Sequence, residues 1–339
     1  MYTILCIMTC RHFLKKNELI TNVLGLREHK LRSNPLVSVE LTELRKKGIA
    51  AMITHLRLKA YGKINLALDV LGRRDNGYHD VRMIMQTVGL HDRIELYRTK
   101  EPGIRLETNL FYLPNNEQNL AYRAAALLME EFGVKEGVSI KLKKFIPVSA
   151  GMAGGSTDAA AVLFGVNKMF GLGLSIKELM ERGVKLGADI PYCLMRGTAL
   201  SEGIGEELTP LPQIPQCQVL IAKPGISVST AFVYQNLNLS GLAKHPDIDG
   251  MLECLRTKDL KGICDRLENV LETVTIKEYP IIEEVKKHLM DQGAMGALMS
   301  GSGPTIFAIF QDKKTADNAL KSLRSIEDIK QAYVVRPIR

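Results

Sequence analysis

The stretch from Pro147 to Thr157 contains the residue types best suited to hold a phosphorylated ligand. It combines three glycines with other small residues, and an alanine-rich segment follows it. Small residues let backbone amides approach an anion closely, and the first turn of a following helix offers unpaired N–H groups and a positive dipole end. Ser156 and Thr157 add hydroxyl groups that can reach a phosphate or a Mg²⁺ ion. The stretch therefore predicts a cradle for a triphosphate.

Two common phosphate-binding motifs are excluded for this stretch. No lysine stands directly before Ser or Thr after the glycines, so it is not a Walker A loop. Its glycine spacing also differs from that of the dinucleotide-binding fingerprint. From composition alone, a flexible loop packed by alanines remains an alternative. A second glycine run, Ser300–Thr305, lies between two apolar segments, and its composition fits a hairpin turn.

A lysine and an asparagine are candidates for a polar site on a long strand. From Leu56 to Val70 apolar and polar residues alternate with a period of two, which predicts a half-buried strand whose even-numbered residues share the apolar face. Lys63 and Asn65 then project together from the opposite face. A solvent-exposed strand face is the alternative interpretation of Lys63.

A carboxylate that could take part in catalysis occurs in the segment Gly-Ala-Asp-Ile-Pro, at Asp189. A carboxylate can accept the proton of a hydroxyl nucleophile. Asp is also a preferred residue at helix ends, so a helix cap is the alternative. The residue types alone leave both interpretations open.

The rest of the chain alternates between strand and helix patterns, which predicts an α+β protein of two domains. Pro210, Pro212 and Pro215 mark the boundary between them. A capping box opens a helix at Ser175, and Gly187 is predicted to end it. The remaining predicted strands are Val81–Leu90, Arg93–Arg98, Ile104–Glu107, Val138–Lys144, Gln218–Ala222, Ala294–Met299, Thr305–Phe310 and Ala332–Arg336, and the remaining helices include Asn119–Phe132, Ser156–Phe170, Tyr279–Gln292 and Lys313–Arg324.

The composition excludes several classes of protein. Of the 339 residues, 46% are hydrophobic and 24% are charged, as in ordinary globular proteins, and no apolar run is long enough to span a membrane. The net charge is +8, but residues 1–51 contribute nine Lys or Arg and four Glu. No zinc-finger spacing and no basic run interleaved with aromatics indicates nucleic-acid binding. The six cysteines form no CxxC pair, which favours free thiols and a cytoplasmic protein.

These motifs resemble those of the GHMP kinase family, named for galactokinase, homoserine kinase, mevalonate kinase and phosphomevalonate kinase. The family's phosphate loop follows Pro-x-x-x-Gly-Leu-Gly-Gly-Gly-Ser-Ser, from which Met152, Ala153 and Thr157 are mild departures. The run Ser300–Thr305 matches the family's third motif. The resemblance narrows to members whose substrate is a cytidine diphosphate-linked methylerythritol of the non-mevalonate isoprenoid pathway, on the segments Ala60–Leu66, Gly72–His79 and Gly187–Pro191.

The resemblance implies a two-domain GHMP kinase fold. Residues 52–212 would form an N-terminal β/α nucleotide-binding domain, and residues 213–339 a ferredoxin-like domain. Residues 1–51 have no counterpart in the family and are predicted to be an extension outside the fold. The resemblance also implies transfer of the γ-phosphoryl group of ATP to the 2-hydroxyl of that substrate, with Asp189 as general base and Lys63 as the residue that stabilises developing charge.

The same resemblance implies the ligand-binding residues and the cofactors, ATP and Mg²⁺. Ser156 is the candidate contact to Mg²⁺, since no cage of metal ligands is apparent. The protein would act as a monomer or homodimer without nucleic-acid or membrane partners. Another GHMP small-molecule kinase and a non-catalytic ligand sensor of the same fold are the alternatives. The implied ATP-binding residues are Pro147, Val148, Ser149, Ala150, Gly151, Met152, Ala153, Gly154, Gly155, Ser156 and Thr157, and the implied substrate-binding residues are Asn65, Tyr78, His79, Thr230 and Tyr234.

Overall fold

The structure is a computed structural model that describes residues 37–38, 53–75 and 77–338. Two sheets organise these residues, and helices cover both. The strands are β1 (Val37–Ser38), β2 (His55–Arg73), β3 (His79–Thr99), β4 (Gly103–Thr108), β5 (Gly137–Lys143), β6 (Thr198–Glu202), β7 (Glu207–Pro210), β8 (Gln218–Pro224), β9 (Glu268–Asn269), β10 (Gly296–Met299), β11 (Ile306–Phe310) and β12 (Ile329–Val335). The α-helices are α1 (Leu120–Glu131), α2 (Gly154–Phe170), α3 (Ile176–Gly183), α4 (Ile190–Met195), α5 (Thr230–Gln235), α6 (Ile248–Thr257), α7 (Leu260–Cys264), α8 (Glu272–Glu278), α9 (Ile281–Asp291) and α10 (Lys313–Leu323), with a 3₁₀ turn at Leu239–Gly241.

The first sheet is built on the long antiparallel pair β2 and β3, and β5 and β4 extend it beyond β3. Two separate strands were predicted where β3 runs without a break, so that prediction is wrong. The polar residue between them, Asp92, is fully buried and is satisfied inside the sheet. Its carboxylate accepts hydrogen bonds from the amides of Phe145 and Ile146, the latter at 2.8 Å. Because its oxygens have partners, the polar residue does not interrupt the strand.

The face assignment predicted for β2 is correct only at its start. Leu56 and Leu58 pack in the core cluster that lies under the helices of the first sheet, whereas Ile64 and Leu66 belong to a second cluster that includes the second sheet. The prediction that these even-numbered residues share one face is therefore wrong. Register shifts between β2 and β3 near Tyr61 and near Asn65 break the alternation.

Helices α1 and α2 cover one face of the first sheet. Helix α1 starts at Asn119, whose side chain accepts a hydrogen bond from the amide of Ala121, as expected of an N-cap. In α2 the approach to the sheet is close, since a Cβ at Gly165 would lie 2.3 Å from the Leu96 side chain. The buried alanines of α2 therefore reflect close packing against the sheet.

Helix α3 has the predicted capping box, in which Ser175 and Glu178 exchange hydrogen bonds. It ends at Gly183 and not at Gly187 as predicted. The residues that follow turn and begin α4, an element that the sequence analysis missed together with strands β6 and β7. Short elements of four to six residues carry too little periodicity to be recognised from one sequence.

The second sheet has the strand order β10-β11-β8-β12, and all its pairs are antiparallel. With the helices between its strands, this is the β-α-β-β-α-β arrangement of a ferredoxin-like domain, which confirms the predicted fold. The predicted domain boundary after residue 212 falls between β7 and β8 and stays a prediction.

The C-terminal tail and an arginine join the two parts of the molecule. The amide of Ile338 donates to the carbonyl of Thr87 at 2.8 Å. Arg82 of β3 donates to Asp249 of α6 at 2.7 Å. These contacts join the C-terminal part of the chain to β3.

Two further predictions concern the ends and the surroundings of the chain. Of residues 1–51 the structure describes only Val37–Ser38, which pairs with β2 antiparallel to Leu58 and Arg57. The rest of that predicted extension lies outside the described residues. Within the described part, no helix is both long enough and apolar enough to cross a membrane.

Candidate active site

A cleft of about 1090 Å³ opens where the phosphate loop meets both sheets. It brings together most of the residues that the sequence analysis proposed, although they come from five separate parts of the chain. The predicted residues that line it are Lys63, Asn65, Tyr78, His79, Val148, Ser149, Ala150, Gly151, Ala153, Gly154, Gly155, Ser156, Asp189, Thr230 and Tyr234.

The phosphate loop connects β5 to α2 with an unusual backbone. Ser149, Gly151 and Ala153 all have positive φ, at 50°, 75° and 55°. Such residues turn the chain sharply before α2 begins at Gly154, so the loop folds back over the helix start. The unpaired amides of the first turn of α2 and the positive end of its dipole lie at the cleft wall, as an anion site requires.

The second glycine run is both a hairpin turn and a support for the phosphate loop. The amide of Ser300 donates to Thr305 at 2.9 Å, which closes the turn between β10 and β11. Ser300 Oγ also donates to the carbonyl of Gly151 at 2.8 Å. A Cβ at Gly151 would lie only 2.0 Å from the Ser300 carbonyl oxygen. The two runs therefore interlock, and the hairpin interpretation was incomplete.

Three predicted nucleotide-binding residues do not line the cleft: Pro147, Met152 and Thr157. The Met152 side chain is buried in the second core cluster. Thr157 Oγ1 donates to the carbonyl of Tyr61 at 2.7 Å, so it anchors α2 to β2. Successive residues in the first turn of a helix point in different directions, and only Ser156 of the Ser-Thr pair faces the cleft.

This difference predicts opposite effects for neighbouring hydroxyls. We expect Thr157→Val to lower the free energy of unfolding by about 1–3 kcal/mol, because the buried Tyr61 carbonyl loses its partner. The KM for ATP should change little. Ser156→Ala should raise the KM for ATP and leave the thermal midpoint unchanged. Thermal unfolding and steady-state kinetics on both variants check this, and a raised KM for ATP in Thr157→Val without loss of stability would contradict the assignment.

Lys63 and Asn65 lie side by side in the middle of β2, and both are buried. Lys63 Nζ donates to Asn65 Oδ1 at 2.7 Å, and Asn65 Nδ2 donates to the sulfur of Met83 at 3.1 Å. The alternative of a solvated Lys63 on an open strand face does not hold, because only 6% of the residue is exposed. Asn65 holds the lysine ammonium in the cleft.

Asp189 occupies the N-cap position of α4, but its side chain makes no capping hydrogen bond. The residue is therefore at a cap position, as the helix-cap interpretation predicted, but its carboxylate does not cap the helix. Asp189 lines the cleft instead. Burial raises the pKa of the Cys193 thiol one turn along α4; the charge of Asp189 adds to that rise and the charge of Lys63 opposes it. Both charged groups therefore lie within electrostatic range of the same thiol.

A buried ion cluster behind the phosphate loop was missed by the sequence analysis. Lys144 Nζ binds carboxylate oxygens of Asp92 and of Asp158, the latter at 2.6 Å. Burial opposes the charged form of Lys144, but the two carboxylates outweigh it and raise the pKa of the lysine. Burial also raises the pKa of Asp158. The signal that could have found the cluster is a lysine placed directly after an apolar strand and before the loop.

At the tip of the β2–β3 hairpin, an imidazole ring meets an aromatic ring from α5. The rings of His79 and Tyr234 are 5.0 Å apart between centroids and tilted by 43°. Burial lowers the pKa of His79, and the charge of Arg73 lowers it further, so the imidazole is neutral at pH 7. Burial raises the pKa of Tyr234 to about 12, and the charge of Asp189 contributes to the rise. The Tyr234 hydroxyl thus lies within electrostatic range of Asp189.

Thr230 starts α5 and joins it to the second glycine run. Its Oγ1 lies 2.8 Å from Ser302 Oγ, and both residues line the cleft. Ser302 was not among the predicted site residues. A serine within a glycine run gives no sequence signal for a contact with a helix 72 residues earlier.

The donor set suits a ligand that brings its own phosphates. Among the described residues, no group of three or more His, Cys, Asp or Glu side chains is placed to hold a metal ion. Mg²⁺ retains several waters and binds largely through phosphate oxygens, so it does not require such a cage. A loop with a helix N-terminus, Ser156 and a nearby lysine fits Mg²⁺ bound to a nucleotide.

Comparison with known proteins agrees with this geometry. The family model for the N-terminal domain of GHMP kinases matches residues 119–197, and that for the C-terminal domain matches residues 251–327. The 4-diphosphocytidyl-2-C-methyl-D-erythritol kinase of Lachnoclostridium phytofermentans is 56% identical over 281 residues, which is 83% of this chain and 97% of that protein. The enzyme of the same name from Clostridium perfringens is 46% identical over 283 residues, or 84% and 98%.

Solved structures give the same result. A crystal structure of 4-(cytidine 5'-diphospho)-2C-methyl-D-erythritol kinase superposes with a TM-score of 0.71 at 31% identity, covering 83% of this chain and 98% of the other. Homoserine kinase from Cytophaga hutchinsonii superposes with a TM-score of 0.70 at 21% identity, covering 84% and 96%, and so shares the fold.

Proposed function

The chain belongs to the 4-diphosphocytidyl-2-C-methyl-D-erythritol kinases of the GHMP kinase family, and from this membership we propose the reaction of its cleft. It is an ATP-dependent small-molecule kinase. We propose that it transfers the γ-phosphoryl group of ATP to the 2-hydroxyl of 4-diphosphocytidyl-2-C-methyl-D-erythritol. The observation that carries the proposal is that one cleft holds the phosphate loop, Lys63, Asp189 and the ring cluster at His79.

Asp189 acts as general base in this proposal. Its carboxylate accepts the proton of the substrate hydroxyl as the oxygen attacks the γ-phosphorus, and the bond from that phosphorus to the β–γ bridging oxygen breaks to release ADP. Support comes from its place at the cleft and from the missing capping hydrogen bond, which leaves the carboxylate available. The position at the start of α4 fixes the residue to a rigid element.

Lys63 stabilises the charge that develops on the transferring group. Its ammonium is held by Asn65 at 2.7 Å and is buried, so its interaction with a phosphoryl oxygen is less screened than at an exposed surface. The proposed contact of Asn65 with the methylerythritol end of the substrate uses the second N–H of its amide. The hydrogen bond between Lys63 and Asn65 directly supports a second role of Asn65, which is to orient the lysine.

The remaining residues bind the two nucleotides. The loop from Val148 to Ser156 holds the ATP phosphates. Ser156 would contact a Mg²⁺ ion bound to the nucleotide, and that ion would neutralise part of the phosphate charge. Tyr78 and Tyr234 stack on the cytosine, and the neutral imidazole of His79 reads its polar edge. Thr230, fixed by Ser302, donates to the substrate between these ends.

Release of ADP with Mg-ATP and alternative acceptors tests this function. We expect turnover with 4-diphosphocytidyl-2-C-methyl-D-erythritol and none above background with homoserine, mevalonate or galactose. Turnover with one of the other alcohols instead would assign the chain a different acceptor. Folded protein that binds ATP but phosphorylates none of them would favour a ligand sensor, which the presence of both Lys63 and Asp189 in the cleft argues against.

A further inference from the structure

The basic side chains in the cleft differ in whether the protein already neutralises them. Among the described residues that line it, three are Lys or Arg: Lys63, Arg73 and Lys144. Lys144 is bound by two carboxylates. Lys63 donates to Asn65, and it lies within electrostatic range of the same thiol as Asp189. Arg73 is exposed, and its side chain has neither a hydrogen bond nor an ion pair within the described part of the chain. Among the described lining residues, the cleft therefore contains one guanidinium that no other described side chain pairs with.

The adjacent arginine in the same hairpin does have a partner, so the lack of one is specific to Arg73. Arg74 donates through Nε and Nη2 to Asp80 at 2.9 and 2.6 Å, so its charge is paired within the hairpin. Arg73 lies close enough to His79 for its charge to act on the imidazole. The free cation thus lies next to the ring cluster that we assign to the nucleobase.

We propose that Arg73 binds the diphosphate of the nucleotide-linked substrate and makes the cleft select a nucleoside diphosphate ester over a monophosphate or an uncharged nucleoside. The inference rests on the proposed function. A diphosphate diester carries two negative charges between the base and the reacting alcohol, so its cation must lie near the base. A guanidinium can donate two parallel hydrogen bonds to phosphate oxygens, and no described residue occupies the side-chain donors of Arg73.

The selectivity is measured by equilibrium binding of cytidine, CMP and CDP, at fixed ionic strength and with the ATP site saturated by a non-hydrolysable ATP analogue. We expect the wild type to bind CDP most tightly. Arg73→Gln should weaken CDP binding by about 10- to 100-fold and leave cytidine binding unchanged, because one charge-assisted pair is lost. Arg73→Lys should recover part of the loss. Arg105→Gln, which removes an exposed arginine outside the cleft, is the matched control.

Kinetics provide a second readout. Arg73→Gln should raise the KM for the nucleotide-linked substrate by a similar factor while kcat stays within about twofold, because a binding contact equal in ground and transition states changes only KM. If Arg73→Gln weakened cytidine and CDP binding equally, Arg73 would maintain the conformation of the hairpin and not bind the diphosphate, which would overturn the proposal. Unchanged CDP binding would overturn it too.

These outcomes separate this proposal from the proposed function. If the wild type turns over the cytidine diphosphate-linked substrate and Arg73→Gln keeps its preference for CDP, only the role of Arg73 fails. If the wild type binds ATP but neither CDP nor cytidine, the proposed function fails and this proposal fails with it.

Discussion

Replacing Asp189 with asparagine is expected to lower kcat by about 10²- to 10⁴-fold, the range for loss of a general base. The substitution keeps the size and the N-cap position of the residue and removes only its ability to accept a proton. Because the Asp189 side chain makes no capping hydrogen bond, the stability of α4 should not change. ADP release under saturating substrates measures the effect, and equilibrium ATP binding should match the wild type.

Asp312→Asn is the matched control for that variant. Asp312 caps α10 on the surface and accepts a hydrogen bond from the Thr315 amide at 3.0 Å, a role that asparagine can take over. The kcat of the Asp312→Asn variant should equal that of the wild type. If Asp189→Asn retained more than about a tenth of the wild-type kcat, the base assignment would be wrong, since even a modest general base contributes about 10²-fold.

Lys63→Gln distinguishes charge stabilisation from proton transfer. We expect a loss in kcat of about 10²-fold, comparable to removal of one donor to a developing anion. Glutamine keeps a polar side chain that can form hydrogen bonds at this position, so the fold of β2 should be preserved. A loss confined to the KM for ATP would show that Lys63 binds ground-state phosphate and does not act on the transition state.

Gly151→Ala is expected to remove ATP binding and to destabilise the protein. The added Cβ would lie 2.0 Å from the Ser300 carbonyl oxygen, a backbone atom that cannot rotate away. The two glycine runs must then separate, and the phosphate loop loses the contact that holds its shape. The left-handed backbone at Gly151 adds a cost of about 1–2 kcal/mol for any residue with a Cβ.

Gly171→Ala separates these two contributions. Gly171 ends α2 with φ of 64°, and nothing lies within 4 Å of a Cβ placed there. That variant should show the backbone cost alone, with wild-type ATP affinity. Thermal unfolding and ATP titration of both variants give the comparison. Equal effects of the two substitutions on both measurements would show that the interlocked loops do not support the nucleotide site.

The phosphate loop and the second domain show how much of this protein local sequence specifies. Glycines and a following helix predict an anion site because each residue's backbone freedom is a local property. The strand and helix order after Pro215 agrees with the ferredoxin-like domain that the family resemblance implies, and that order could be predicted because each element has its own periodicity. For the same reason the strand that carries Lys63 was predicted with nearly its observed length, β2 (His55–Arg73).

Contacts between distant residues were decided by the tertiary structure alone. The direction of the Ile64 side chain depends on irregular pairing with β3, and the interlock of Gly151 with Ser300 joins residues 149 positions apart. The tertiary structure also decides whether a charged side chain has a partner. Arg73 and Arg74 are identical in sequence terms, yet Asp80 neutralises only Arg74. Residue types and spacing determined which chemistry this chain could perform. Which side chains remain available for that chemistry was decided by the partners that the fold supplies. The physical reason is that burial and pairing set the charge and direction of each group.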